Sequence, residues 1–247
     1  MKAPAEAQLR LLDVQRLDAR ADQLRHQRAT LPEIVEITAL TASRHEVDDQ
    51  RRDQQVVVDD LTAAQRRADT DVEQVKARRA RDTDRMAQGL ITNPKDLERM
   101  QHELASLERR IGTLEDEELE IMEQLEAAQA TLDELQQRLA ASDERLAELA
   151  VQRDEKTAVI DRELAEIEAE RGPAAEGLPD DLVALYDKLR AAKNGVGAAE
   201  MLQRRCTGCQ IGIDPAEIGV IRATPADTVV RCEECQRILV RTAESGL

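Results

Sequence analysis

The feature that most constrains this fold is an apolar repeat stepping alternately by three and four residues from Leu97 to Leu149. Its sixteen positions are Leu97, Met100, Leu104, Leu107, Ile111, Leu114, Glu118, Ile121, Leu125, Ala128, Leu132, Leu135, Leu139, Ser142, Leu146 and Leu149. Only Glu118, Ala128 and Ser142 lack a large apolar side chain. One helix cannot bury such an a/d seam by itself, so the repeat predicts a long helix packed on a second helix as a coiled coil.

The N-terminal part of the chain offers a partner for this helix, with the same stepping but smaller and more polar occupants. Val14, Leu17, Ala21, Leu24, Leu31 and Val35 fit this stepping with one gap at Arg28, and farther on Leu40, Val47, Leu61, Ala68 and Val75 recur at multiples of seven. Two arms of similar length around one short turn predict an antiparallel hairpin over residues 1–172, with Arg66 and Arg67 opposite residues 115–118. A parallel homodimeric coiled coil is the alternative.

Breaks in the helical pattern divide the first arm. Pro32 would disrupt a helix interior, so we expect a kink near residues 30–32. Thr30, with Glu33 three positions later, is typical of a capping box that starts the next helix. The sequence pattern therefore predicts a short first helix followed by a long second helix.

The turn between the arms is expected near residues 87–94. Gly89 is a suitable stop for the first arm, because glycine tolerates the left-handed conformation at a helix end. Asn93 can cap the second arm, with Pro94 at the first helical position. Gly172 and Pro173 are expected to end that arm.

The distribution of charge along the sequence disfavours some classes of function. The formal net charge is −16, and residues 91–171 hold 10 Lys or Arg against 23 Asp or Glu. An acidic middle repels phosphate backbones and anionic membranes, so general nucleic-acid binding along the rod is disfavoured. The N-terminus has no apolar signal region and no run of 18 apolar residues occurs, so we expect a cytoplasmic protein with no membrane contact.

Residues 173–247 read as a small α+β module. A short helix is expected over 180–193, with Tyr186, the only aromatic residue, in its apolar face. A further helical stretch begins after Asp214 at Pro215. The stretches TVVRC and CQRILVR have the β-branched and apolar residues of a strand hairpin. The predicted fold class is thus mainly α, a long antiparallel coiled-coil hairpin followed by a small zinc-ribbon module over 196–243.

The metal prediction rests on four cysteines, Cys206, Cys209, Cys232 and Cys235, spaced C-x2-C-x22-C-x2-C. Two C-x2-C turns supply the four thiolates of a tetrahedral Zn²⁺. Four such ligands leave no open position for water, so we predict one structural rather than catalytic zinc. An iron–sulfur or redox site, or unrelated thiols, are the alternatives.

A long coiled-coil hairpin followed by a four-cysteine ribbon resembles the bacterial coiled-coil/zinc-ribbon family, in particular its actinobacterial branch. The stretches CEECQRILV and TNPKDLERMQHEL carry the likeness, which covers essentially the whole chain. The resemblance implies that the four cysteines bind zinc, that Arg237 to Leu239 form a ribbon strand, and that enzymatic activity is absent. Gln236 departs from the family's usual glycine, and a positive φ there would cost about 1–2 kcal/mol and distort the second knuckle.

We therefore expect a non-enzymatic adaptor or scaffold that binds other macromolecules, most directly proteins, through the hairpin and ribbon. The candidate partner-binding residues lie at the tip and around the cysteines: Asn93, Pro94, Asp96, His102, Glu103, Arg204, Arg205 and Arg237. Nucleic-acid binding by the Arg-rich ribbon or tip is the alternative function. A thiol-dependent enzyme is a third hypothesis, and the sequence leaves monomer and homodimer both open.

Overall fold

The computed structural model describes all residues from Met1 to Leu247, which form five helices and four short strands. In chain order these are α1 (Ala5–Ala29), α2 (Pro32–Ala87), α3 (Pro94–Ala175), α4 (Asp180–Ala192), β1 (Ala198–Leu202), β2 (Arg205–Cys206), α5 (Pro215–Ala223), β3 (Val230–Arg231) and β4 (Ile238–Arg241). The predicted fold class is confirmed. None of the helices combines the length and apolar composition needed to span a bilayer.

The chain divides into two compact units. Unit 1 comprises Met1–Val35 and Ala150–Leu247, and unit 2 comprises Glu36–Leu149. This division falls at different places from the predicted boundary at 172/173. The reason is that α1, which the sequence assigns to the hairpin, packs within unit 1 against α4 and the strands.

Unit 2 consists of the facing parts of α2 and α3, which run antiparallel. Its main buried cluster joins Val58 of α2 to Leu125, Ala128 and Leu132 of α3. Of the sixteen predicted seam positions, only Leu97 is classed as exposed. The prediction of an antiparallel hairpin is confirmed, because α2 supplies the partner seam from within the same chain.

Ion pairs between α2 and α3 fix the observed register in unit 2. Lys76 binds Glu115 at 2.8 Å, whereas neither Arg66 nor Arg67 forms an ion pair. The ion pairs expected between these two arginines and residues 115–118 are therefore not formed.

The break between α1 and α2 lies where the sequence predicts it, but the capping box does not form. The Thr30 hydroxyl donates to the His26 carbonyl and closes α1, while α2 begins at Pro32. Glu33 instead pairs with Lys156 of α3. The break also resets the helical phase, so that Val35, predicted in the seam, is 68% exposed.

The turn between α2 and α3 follows the prediction. Gly89 has φ of +69° directly after the end of α2. The Asn93 side chain accepts a hydrogen bond from the Lys95 backbone N–H at 3.0 Å, and α3 begins at Pro94. The prediction for the other end of α3 is wrong by a few residues. The helix continues past Gly172 and Pro173 to Ala175, so it ends within two residues of the proline, which cannot donate a hydrogen bond to the preceding turn.

The strands of unit 1 form one sheet in the order β2-β1-β4-β3. The predicted hairpin is β3 and β4, which pair antiparallel. The central strand β1, which pairs parallel with β4, has no counterpart among the predicted elements. Its sequence AAEML is short and its pairing is with a segment some forty residues later, so local pattern gives little signal.

The two faces of this sheet carry separate apolar clusters, because successive residues of a strand point to opposite sides. On β4, Ile238 and Val240 pack with α1 and α4, including Leu11, Leu182 and Tyr186. Leu239 points the other way and packs with the cysteines and α5. Tyr186 is a core residue, as predicted.

A buried carboxylate links α1, α3 and α4 in unit 1. Asp18 is 4% exposed and accepts hydrogen bonds from the Arg171 guanidinium at 2.7 Å and from the Tyr186 hydroxyl at 2.8 Å. Burial raises the pKa of Asp18, but these hydrogen bonds and the positive charges of Arg171 and Arg190 outweigh it and lower the pKa. The same burial and the Asp18 charge raise the pKa of Tyr186, which therefore stays a neutral donor.

Candidate metal centre

The four cysteines converge on one point of unit 1, with all four Sγ atoms within 4.8 Å of one another. Cys206 Sγ lies 3.8 Å from Cys235 Sγ, and Cys209 Sγ lies 3.9 Å from Cys232 Sγ. Thiolates at about 2.3 Å from a tetrahedral ion are separated from one another by about 3.8 Å. The observed spacing therefore fits one Zn²⁺, and S–S bonds are absent because every cysteine is a free thiol.

Two equivalent turns present these thiols. The Gln210 N–H donates to the Cys206 carbonyl at 2.7 Å, and the Gln236 N–H donates to the Cys232 carbonyl at 2.8 Å. Both glutamines are left-handed, with φ of +61° and +62°. The positive φ expected at Gln236 is confirmed, but the expected distortion is wrong. The two turns match, and Arg231 donates two hydrogen bonds to the Gln236 carbonyl, which stabilises that conformation.

The surroundings of three of the thiols shift their pKa values in different directions. Burial raises the pKa of Cys206 to about 12 and also raises the pKa of Cys232. Burial would raise the pKa of Cys235 too, but hydrogen bonds from the Arg237 backbone and side chain, and from neighbouring thiols, lower it to about 7. Cys235 is thus converted more readily than Cys206 or Cys232 to the thiolate that a metal binds.

Groups outside the four thiols hold the two turns in place, and the sequence does not single them out for this role. The Arg237 guanidinium donates to the carbonyls of Val196 and Lys193, each at 2.9 Å. A Cβ at Gly208 would lie 2.7 Å from Arg237 Cδ and 2.9 Å from Ala199 Cβ, so only glycine fits there. The sequence feature that could have indicated this packing is the glycine within C-T-G-C, since a glycine between two ligands suggests that other groups approach the backbone closely there.

A closed set of four cysteines defines what this centre can do. Two of the ligands, Cys206 and Cys232, are buried, and the other two are partly buried. When Zn²⁺ is bound, it crosslinks the two turns and lowers the free energy of the folded ribbon. Four thiolates fill its tetrahedron, so the centre is suited to holding structure and has no position for a reacting water.

Two arginines predicted to bind a partner lie beside the centre on a tight hairpin. Gln203 and Arg204 join β1 to β2 with positive φ at both residues. Arg204 Nε donates to the Gly246 carbonyl, and the Arg205 guanidinium donates to the Gln210 carbonyl. Both residues are exposed, and their role in partner binding stays a prediction.

The predicted tip residues lie in unit 2. Asn93 and Pro94 form the start of α3. A carboxylate oxygen of Asp96 lies 3.5 Å from a guanidinium nitrogen of Arg99. Glu103 pairs with Arg78, and His102 is exposed. The structure thus gives helix-capping and ion-pairing roles to several of these residues, and their contact with a partner stays a prediction.

Comparison with known proteins gives a consistent result. Residues 14–194 match the family of the CT398-like coiled coil hairpin domain, and residues 205–239 match the C4-type zinc ribbon domain. A Mycobacterium tuberculosis protein, Rv2229c, is 33% identical over 241 residues, which are 98% of each chain.

Two solved structures agree in fold. One, from Mycobacterium smegmatis, has a TM-score of 0.85 and 34% identity, and covers 98% of this chain and 100% of its own. CT398 from Chlamydia trachomatis has a TM-score of 0.73 and 18% identity, over 96% and 98% of the two chains, which shows the shared fold. The hairpin, the four-cysteine centre and these matches together establish that the chain belongs to the family of CT398-like coiled-coil hairpin proteins, with a C4-type zinc ribbon at its C-terminal end.

Proposed function

We propose that this protein is a non-enzymatic scaffold that binds other proteins through its helical hairpin and zinc ribbon. The observation that carries the proposal is the closed geometry of the four thiols. The one group of three or more candidate ligands that can hold an ion is this cysteine set, and a tetrahedral metal held by it has no free position for a substrate. The zinc then acts as a crosslink that keeps the ribbon surface rigid.

The distribution of histidines supports the same reading. His26, His45 and His102 are all exposed on helices. A general base needs a hydrogen-bonded partner that orients it and a concave site that holds the substrate. An exposed helical surface is instead suited to contact with another macromolecule.

The arginines of the ribbon favour a protein partner over a nucleic acid. Arg241 donates hydrogen bonds to five backbone carbonyls between Ile221 and Thr228, and Arg237 donates to two others. These guanidinium groups are engaged in holding the ribbon together, whereas phosphate binding needs cations free to meet the backbone of DNA or RNA.

Affinity capture from cells, using the whole chain, tests the proposal. We expect defined proteins to be captured, and to be lost selectively with either a tip variant, Asn93→Ala/Asp96→Ala, or a ribbon variant, Arg204→Ala/Arg205→Ala. The variant Gln152→Ala, on an exposed part of α3 far from the tip in the chain, is the control. Capture of no protein, together with tight RNA binding at about 50 mM salt that is lost in the ribbon variant, would contradict a protein scaffold.

A further inference from the structure

Near the middle of α3 the apolar seam is interrupted in an unusual way. Glu118 takes a seam position and is half-buried, while the next residue, Leu119, is 57% exposed. Met122, one turn later on the same face, is 42% exposed. Two large apolar side chains are therefore on the surface of the hairpin beside a charged side chain in its seam.

These two side chains line a groove in unit 2. The groove has a volume of about 400 Å³ and is also lined by Gln65 of α2 and by Glu123, Leu125, Glu126 and Gln129 of α3. We call this set of seven residues the acidic groove. It offers two exposed apolar side chains, Leu119 and Met122, above the buried Leu125, and two carboxylates lie within a turn of them.

The charge around the acidic groove is one-sided. Residues 111–137 contain nine Asp or Glu and no Lys or Arg. Of these nine, only Glu115 is in an ion pair, with Lys76. Such a surface repels nucleic acid and repels the same surface of a second copy, whereas it attracts a cationic partner.

A second groove in unit 2 shows that this combination is particular. That groove has a similar volume, about 420 Å³, and its lining includes Val57 and the buried Leu135 together with Asp53, Glu134 and Arg138. It offers one exposed valine and charges of both signs. It lacks both the pair of exposed apolar side chains and the uniform negative charge of the acidic groove.

We propose that the acidic groove binds a basic amphipathic helix of a partner protein. Two apolar side chains of that helix, one turn apart, contact Leu119 and Met122, and flanking Lys or Arg side chains pair with Glu123 and Glu126. Apolar contacts supply affinity and the charges supply orientation and association rate. The inference rests on the proposed function, since it names the class of protein segment that the scaffold receives.

A synthetic peptide tests the chemistry directly. The probe is an 18-residue labelled peptide with leucines on one helical face and lysines on the other, titrated with the whole chain by fluorescence anisotropy. A scrambled peptide of identical composition is the control for charge alone. We expect saturable binding of the amphipathic peptide, at least about tenfold tighter than the scrambled one, since the apolar anchors must lie on one face. Equal affinity for the two peptides would overturn the proposal.

Paired variants locate the binding surface. Leu119→Gln/Met122→Gln should weaken binding by about tenfold or more, because both apolar anchors are lost. Val151→Gln/Val159→Gln is the matched control, since both valines are exposed on α3. It should leave the affinity unchanged. Circular dichroism checks that each variant is as helical as the wild type. Unchanged affinity in the Leu119/Met122 variant, or equal losses in both variants, would overturn the assignment to this groove.

Two further outcomes are distinguishable. If the Leu119→Gln/Met122→Gln variant still captures the same cellular proteins as the wild type, the scaffold proposal stands and the acidic groove is not its docking site. Sedimentation compares the oligomeric states of the wild type and the variant. If the wild type is a dimer and the variant is a monomer, a second copy of the chain occupies the groove and the inference fails.

Discussion

The two compact units bury their side chains to different depths. In unit 1, Tyr186, Met201 and Leu239 are fully buried, whereas in unit 2 Leu125 and Leu132 retain 8% and 7% of their exposure. Two helices can cover each other on one side only, while the sheet of unit 1 is covered on both faces. Unit 1 thus holds most of the completely buried large side chains, whereas the exposure of the buried seam residues in unit 2 ranges from 1% at Leu149 to 8% at Leu125.

The polar groups of the two units also differ in how deeply they are buried. In unit 1, Asp18 is buried beneath two arginines and a tyrosine, and four cysteines share one centre. In unit 2 the ion pairs are at the surface; Arg44 and Asp143, for example, have side chains that are 31% and 54% exposed. Exposed pairs contribute at most about 1 kcal/mol each. Loss of a single group should therefore matter more in unit 1.

The largest effect is expected from losing the metal centre. Cys206→Ser should abolish stoichiometric zinc binding and unfold the ribbon, because structural zinc contributes on the order of 10 kcal/mol to small modules. Elemental analysis and amide hydrogen exchange measure the two consequences. Exchange should accelerate in residues 198–241 and stay slow in unit 2.

Zinc chelation of the wild-type protein is the companion experiment. Most of the helical circular dichroism signal should survive, because the hairpin has its own apolar seam. A collapse of all helicity on chelation would show that the units do not differ as described.

The next effect concerns the buried carboxylate. Asp18→Ala should lower the free energy of unfolding by about 3–5 kcal/mol, because it leaves the partly buried Arg171 and the buried Tyr186 hydroxyl without their common acceptor. Denaturant unfolding at pH 7 measures this. Asp143→Ala, which removes an exposed pair of unit 2, should cost much less, because solvent screens exposed pairs. Equal costs for the two substitutions would contradict the contrast.

The same carboxylate predicts a dependence on pH. The pKa of Asp18 is lowered in the folded protein, so its contribution is present above the unfolded value of 3.8 and lost as pH falls through the folded pKa. The stability difference between wild type and Asp18→Asn should therefore shrink below pH 3.8. A constant difference down to acid unfolding would disprove this role for the ionised form.

Matched leucine truncations compare the two cores. Truncation of a buried leucine lowers the free energy of unfolding by about 2–5 kcal/mol. We expect Leu239→Ala in unit 1 to lie near the upper end of this range and Leu125→Ala in unit 2 near its lower end. The open hairpin can close around a smaller residue, whereas a site enclosed on all sides keeps the cavity. Urea titration followed by hydrogen exchange assigns each loss to its unit. The reverse order would show that depth of burial does not separate the units.

The smallest effect is a gain in stability at the metal-binding turns. Gln236→Gly should stabilise the ribbon by about 1 kcal/mol, since glycine adopts positive φ without the steric cost that glutamine bears. Gln210→Gly should behave alike, because its φ is +61°. Thermal unfolding of the zinc-loaded protein measures both. Gln137→Gly, within α3, should instead destabilise by up to about 1 kcal/mol.

Much of the fold follows from local sequence pattern. The heptad positions from Met100 to Leu149 lie on the packed side of α3, and Asn93 begins that helix as its residue type suggests. The four-cysteine centre also follows, because each C-x2-C pair is placed by one tight turn. The capping box at Thr30 and the ion pairs of Arg66 are not formed, since Glu33 pairs with Lys156 and Glu115 with Lys76, which are far away in the chain.

The sequence by itself determined the hairpin and the metal centre, because heptad spacing and C-x2-C turns are set by residues close together in the chain. Only the tertiary structure decided that α1 joins the ribbon, that β1 is the central partner of β4, and that Asp18 meets Arg171 and Tyr186. It also decided that Leu119 and Met122 are exposed. These features join residues far apart in the chain, and their energies depend on burial that exists only after the segments have packed.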